Sequence, residues 1–235
     1  VTYGAATKLA LTTSPLGFVN RTNFSTQPVI TVQDASGNTV ANSAISIDVA
    51  IDSGNLTGTT QVTAVNGIAT FSGLGKNGLV GSKRLTFTKT GGGLTAATFD
   101  FTLTYGAATK LTQTTDAAGF VNRVAFTTQP VVEIQDADGN RVADSTASVT
   151  VSMTGVTLTG TKTISAVAGV ATFTDLSKYG TVQGTNTLNF ASTGLTGTSQ
   201  SPFTLTHGAA TRIQTLAGSN GVQSIMSGNR QSGQL

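Results

Sequence analysis

Apolar and polar residues alternate along short stretches of the chain. Lys8 to Thr12 reads Lys-Leu-Ala-Leu-Thr, Val29 to Gln33 reads Val-Ile-Thr-Val-Gln, and Ile45 to Val49 and Leu85 to Thr88 follow the same rule. A period of two, with β-branched residues and Gly, Asn or Asp breaks between the runs, is the signature of half-buried antiparallel strands. Strands are predicted at 7–13, 28–34, 44–51, 59–65, 67–72, 82–90 and 94–103. No stretch of a dozen residues keeps helical spacing. Asp34-Ala35-Ser36-Gly37-Asn38 reads as a turn, and Asn66-Gly67 favours a type I′ hairpin. Gly91-Gly92-Gly93 also reads as a hairpin turn, since no Lys-Ser/Thr follows to make a phosphate loop.

The pattern then repeats. Thr2-Tyr3-Gly4-Ala5-Ala6-Thr7-Lys8-Leu9 returns 102 positions later as Thr104 to Leu111, and again, altered, as Thr206 to Ile213. Gly17-Phe18-Val19-Asn20-Arg21 returns as Gly119 to Arg123, Thr26-Gln27-Pro28-Val29 as Thr128 to Val131, and Asp34 to Asn38 as Asp136 to Asn140. The offset slips to 103 at Leu85/Leu188 and to 101 at Gly93/Gly194, then recovers. Insertions that cancel lie in loops, so the strands around them are held in register. Two full repeats, 1–103 and 104–205, are expected, with 206–235 opening a divergent, incomplete third. A pattern that begins and ends in mid-unit suggests a window on a longer polypeptide.

About seven strands per repeat, with turn signals every 8–12 residues, predict an all-β fold of tandem immunoglobulin-like sandwiches. With no Cys and no Trp in the chain, the core must rely on Phe24, Phe71, Phe87 and Phe101 and their equivalents Phe126, Phe173, Phe190 and Phe203.

Composition narrows the function. The chain carries 13 Lys and Arg against 10 Asp and Glu, for a net charge of +3. The cations are scattered singly, with only Lys83-Arg84 adjacent, so no phosphate-tracking face is expected and nucleic acid is set aside. Lys83-Arg84 and Lys89 are read as charges guarding a sheet edge. Without Cys there is no disulfide framework and no thiolate chemistry. Apolar runs are far below the ~18 residues of a spanning helix, so no membrane insertion is expected here. The first residues have neither a basic nor an apolar leader region, so no signal peptide is expected in this stretch.

Candidate chemistry is sparse. A Ser/His/acid hydrolase needs a base, and the only His is His207, which stands where the other copies hold Tyr3 and Tyr105. Glu133 is the only Glu, and the Asp residues fall mostly in turns, so no catalytic pair is expected. Asp136, Asp138 and Asn140 have the i, i+2, i+4 oxygen spacing that opens a calcium loop, but no Glu follows at the right distance. Asx residues with Gly serve a tight turn equally well, and that reading is favoured, leaving a weak calcium candidate and no expected cofactor. Tyr179, Phe18 and Phe120 are the aromatics that a carbohydrate- or receptor-binding end would use.

The stretches GAATKL, TQPVITVQDASGNTV, LTGTTQVTAVNGIATFSGL and GGLTAATFDFTL resemble the tandem bacterial immunoglobulin-like repeats of large surface-exposed proteins, the group that includes invasin- and intimin-type adhesin stalks. Similar repeats occur in phage virion proteins. The resemblance implies a non-catalytic, extracellular structural repeat at a cell surface, or at a virion surface as the alternative. Serial sandwiches of about 35–40 Å each, at ~3.3 Å per residue, would project a distal binding region. The partners it implies are neighbouring repeats, homo-oligomer or filament neighbours, and a glycan or host-surface ligand met elsewhere. Three alternatives stand beside it: a carbohydrate- or receptor-binding module, an accessory domain flanking a catalytic module outside this stretch, and a filament subunit that exchanges a strand through 206–235.

Overall fold

The computed structural model describes residues 2–154, 157–180, 184–210, 213–214 and 225–226. The chain forms two compact units, one of Val1–Ala107 with Asp136–Asn140, the other of Ala108–Gln135 with Arg141–Leu235.

In the first unit the strands are β1 (Ala6–Thr13), β2 (Val29–Asp34), β3 (Ser46–Ile51), β4 (Asn55–Thr57), β5 (Gln61–Thr63), β6 (Ile68–Thr70), β7 (Gly75–Asn77), β8 (Gly81–Lys89) and β9 (Ala97–Leu103). They pair as β1-β2-β6, as β5-β3-β8-β9 and as β4-β7, all antiparallel. The alternation read from sequence decides which side chains turn inward. Leu9 of β1, Ile30 and Val32 of β2, Ile47 and Val49 of β3 and Leu85 and Phe87 of β8 all join one buried cluster. Phe24, Phe71 and Phe101 complete it, with Phe71 and Phe87 meeting edge-on at 5.4 Å. Each fully buried aliphatic or aromatic side chain contributes about 1.5–3 kcal/mol, which makes these positions the main source of stability. Every predicted strand of the first repeat is present, and β4 and β7 are added to them.

The second unit repeats the plan. Its strands are β10 (Lys110–Thr115), β11 (Val131–Gln135), β12 (Ser148–Met153), β13 (Thr157–Thr159), β14 (Thr163–Ser165), β15 (Val170–Thr172), β16 (Ser177–Tyr179), β17 (Thr185–Asn186), β18 (Leu188–Ala191), β19 (Thr198–Ser199) and β20 (Phe203–Thr204). The orders β10-β11-β15, β14-β12-β18-β19 and β13-β16 match the first unit, with β17-β20 as a further pair. Phe126, Phe173 and Phe190 are buried, and Phe203 is partly so, stacked on Phe120 at 3.6 Å. The predicted all-β, immunoglobulin-like sandwich is the observed architecture. Of the predicted third repeat, most of 206–235 lies outside the described residues; a pair of two-residue strands, β21 (Ile213–Gln214) and β22 (Ile225–Met226), is antiparallel.

Turn chemistry follows the sequence at Asn66-Gly67, where φ is +53° and +76°, the two positive angles a type I′ turn requires. The second copy makes the same turn with Ala168 at φ +50° before Gly169. The edge-guard reading of Lys83-Arg84 and Lys89 is corrected by topology. Their strand, β8, lies between β3 and β9 and is an inner strand of its sheet, with Lys83 and Arg84 in register with β9 and Lys89 with β3. Arg84 instead grips Asp100 across the β8-β9 ladder, through contacts of 2.6 and 2.9 Å.

Two ties explain sequence that strand patterning leaves unexplained. In Thr-Gln-Pro, the Gln27 amide donates to the carbonyls of Phe24 and Leu74 while its oxygen accepts the Leu74 N–H at 2.8 Å, lashing two loops together. Gln129 does the same with Phe126 and Leu176. A lysine is buried at the same place in each repeat, Lys76 on β7 and Lys178 on β16, and burial pushes both ammonium groups below their ordinary pKa. Lys178 Nζ donates to the buried Asn186 Oδ1 at 2.6 Å, whereas Lys76 Nζ turns to the Asn77 carbonyl.

Candidate functional site

The densest polar cluster among the described residues is built around the turn Asp136–Asn140, which belongs to the first compact unit. The turn is formed from within. Asp136 Oδ1 accepts the backbone N–H groups of Asp138 at 3.0 Å and Asn140 at 2.9 Å, the local pattern that makes Asp at the first position of a turn favourable. Asn140 Nδ2 adds bonds of 3.1 and 2.9 Å to the two oxygens of the same carboxylate. Asp34, Ser36 and Asn38 make the corresponding turn in the first repeat, again with both N–H groups on Asp34 Oδ1.

What surrounds the turn comes from far away in sequence. Asn20 Nδ2 donates at 2.8 Å to both Asp136 Oδ2 and Asp138 Oδ2. Arg21 takes Asp138 with both arms, Nε on Oδ2 and Nη2 on Oδ1, each at 2.8 Å. The Gly78 N–H reaches Asn20 Oδ1 at 2.9 Å and Asp138 Oδ2 at 3.2 Å. The Val80 N–H finds Asn140 Oδ1 at 3.0 Å, and Asn140 Nδ2 donates to the Gly78 carbonyl at 3.0 Å. The Gly106 N–H closes the set on Asp136 Oδ2 at 2.9 Å. Gly106 must be a glycine here, because a Cβ would stand 2.6 Å from the Asn20 carbonyl oxygen.

Electrostatics follow from these contacts. The Arg21 guanidinium, helped by the Asn20 amide and the Gly78 N–H, holds the Asp138 carboxyl well below the usual carboxylate range. Burial alone would raise Asp136, but the donors from Asn140, Gly106 and Asn20 outweigh it and the group lies low. Asp34 is held down to about 2, chiefly by the Gly4 N–H and then by Asn38. Arg21 itself sits at φ +62°, a left-handed conformation that costs an L-residue about 1–2 kcal/mol. Backbone strain of that size persists where surrounding contacts over-determine it.

The sequence candidates fall out as follows. Asp136, Asp138 and Asn140 are brought together, as the calcium spacing requires, but their oxygens face amide, guanidinium and backbone N–H donors. Among the described residues no group of three or more His, Cys, Asp or Glu is placed to hold a metal. His207 is exposed, and Glu133 lies on β11 with Gln135 donating to it at 3.1 Å. Phe18 packs on Phe101 at 4.3 Å and Phe24 at 5.3 Å, so Phe18 and Phe120 serve the core rather than a ligand. Tyr179 remains at the surface with Arg123 over its ring at 5.4 Å. An open depression of about 600 Å³ beside Arg84 and Asp100 also touches Asp52 and Lys83. No helix among the described residues is long and apolar enough to cross a membrane, which says nothing of β-barrels.

Sequence reading missed Asn20, Arg21 and Gly78 as partners of the turn. The available signal was the return of Gly-Phe-Val-Asn-Arg intact at 119–123, an unusual length of identity for a surface loop.

No family model matches the chain, and no curated protein does. Among solved structures, the chain is similar to a β-glycosidase from Bacteroides vulgatus at 12% identity and TM-score 0.36, over 84% of this chain and 24% of that one. It is similar to the D0-D1 domain of intimin at 15% identity and TM-score 0.31, over 85% of this chain and 98% of that one. It is also similar to invasin, a bacterial integrin-binding protein, at 16% identity and TM-score 0.35, over 85% of this chain and 39% of that one. The chain spans about a quarter of the length of the glycosidase. Likeness at this level carries no argument about activity, ligand or partner.

Proposed function

We propose that the chain is a non-catalytic structural segment of a larger surface protein, in which immunoglobulin-like repeats act as serial spacers that carry a distal binding region outward. One observation carries the reading: a turn that belongs by sequence to the second repeat, Asp136–Asn140, is built into the first compact unit by Asn20, Arg21, Gly78 and Val80. Seven direct bonds from Asn20, Arg21, Gly78 and Val80 pin that turn within the unit, and a loop held this densely suits a module whose work is mechanical. The repetition itself supports the reading, since the same strand orders recur in both units. Antibodies raised against this chain test it. They should label intact cells or particles that carry the native protein, without permeabilisation. Labelling only after permeabilisation would contradict an exterior role.

A further inference from the structure

The strand ladders of the first unit are antiparallel, yet its opening and closing segments meet in two isolated parallel bridges, Lys8 with Thr95 and Val19 with Thr104. The bonds run from main chain to main chain. The Leu9 N–H donates to the Thr95 carbonyl at 2.9 Å, and the Thr95 N–H to the Thr7 carbonyl at 3.0 Å. Further on, the Asn20 N–H donates to the Thr104 carbonyl at 2.9 Å, and the Thr104 N–H to the Phe18 carbonyl at 2.8 Å. The Thr104 hydroxyl adds a bond of 3.0 Å to that same carbonyl. The second unit has the matching parallel bridges, Lys110 with Thr196 and Val121 with Thr206. All five bonds return there at 2.8–3.0 Å, with Thr109, Leu111 and Thr196 in the first bridge and Phe120, Asn122 and Thr206 in the second. The six bonding residues are identical in the two repeats, although main-chain bonds require no particular side chain.

We infer that these two bridges form a lock against stretching, which a pull on the ends of a repeat meets in shear. The parallel sense carries the inference. In a parallel pair both segments begin at the same end. Tension that arrives before Thr7 and leaves after Thr104 therefore drags the two segments past each other along their length. The bonds of a bridge then share the pull and must fail together, whereas a hairpin drawn apart from its open end loses its bonds singly. Placement adds to the effect. Thr95 precedes β9 and Thr104 follows it, so the β8-β9 ladder and the buried Phe101 and Leu103 are reached only after the Thr104 bridge has failed. Forced unfolding is governed by the rate of crossing the barrier, so a few bonds set across the pull outweigh their number in the fold. That the native repeats carry tension rests on the serial-spacer reading; the lock itself is a property of each repeat.

The chain has no cysteine, so attachment points for optical tweezers can be chosen freely. Thr2→Cys with Ala107→Cys, both exposed, stretches the first repeat along its bridges within the full chain and leaves the second unloaded. Thr2→Cys with Thr90→Cys, also exposed, pulls from the end where both segments begin and peels them apart. At one constant force the sheared repeat should outlast the peeled one by about tenfold or more, the factor that about 1.4 kcal/mol of barrier gives. Thr104→Val, which deletes the hydroxyl bond to Phe18, should shorten the sheared lifetime several-fold and leave the peeled lifetime unchanged. Equal lifetimes in the two directions would overturn the lock, as would a Thr104→Val effect of the same size in both. Either result leaves the surface labelling as it stands, so the lock and the exterior role fail separately.

Discussion

Arg21 holds both carboxylate oxygens of Asp138 at 2.8 Å, across 117 positions of sequence. The pair is half-exposed on the arginine side, and exposed ion pairs by themselves contribute little. Its weight comes from company. Asp138 also takes Asn20 and Gly78, and neighbouring Asp136 is 1% exposed and takes five donors.

Asp136→Ala should therefore be the most damaging single change in the cluster. It strands several buried donors at once, each worth about 1–3 kcal/mol when left unpaired. A loss of about 2–4 kcal/mol is expected from urea unfolding, well above that of Arg21→Ala measured the same way. Equal losses for the two would mean that the turn is not organised by Asp136.

Acid should loosen the same region. Asp34, Asp136 and Asp138 all have carboxyls lowered from the ordinary 3.8, Asp34 to about 2. A carboxyl depressed on folding contributes stability that is complete above its unfolded pKa and lost as pH falls through the folded one. The urea midpoint should be flat above pH 5 and fall between about pH 4 and pH 2. The Asp34→Asn, Asp138→Asn double variant should flatten that slope. An unchanged slope would place the acid sensitivity elsewhere.

Ala168 holds a left-handed conformation, φ +50°, where the other repeat has Asn66. Ala168→Asn or Ala168→Gly should stabilise the second repeat by about 0.5–1 kcal/mol, and Asn66→Ala should cost the first about as much. Differential scanning calorimetry of the three variants gives the signs directly.

The buried pair Lys178–Asn186 offers a double-mutant cycle. Lys178→Met leaves the Asn186 carboxamide oxygen without its donor and should destabilise by about 1–3 kcal/mol. Lys178→Met with Asn186→Leu removes both polar partners and should recover most of the loss, as replacement of a buried polar pair by apolar groups commonly does. Additive losses would show that the two do not interact.

The sandwich was legible because period-two alternation and Gly- or Asx-marked turns are local properties of the chain, and the core Phe set followed from the lack of other large residues. The strands β4 and β7 were not, since Asn55-Leu56-Thr57 and Gly75-Lys76-Asn77 carry no apolar alternation and one buries a lysine. The placement of Lys83 and Arg84 on an inner strand depends on sheet order, which sequence does not record. The turn at 136–140 was readable as a turn. Its capture by Asn20 and Arg21 was not, because nothing local to either segment encodes a partner more than a hundred residues away.

Amide hydrogen exchange at Val80 tests the polar cluster most directly. Val80 is 43% exposed and lies outside every strand, and its N–H is held by Asn140 Oδ1 at 3.0 Å. The account predicts a slowly exchanging Val80 amide in the unsubstituted chain and a fast one in Asn140→Ala, with the β8 amides unchanged in both. A Val80 amide that exchanges equally fast in the two proteins would contradict it.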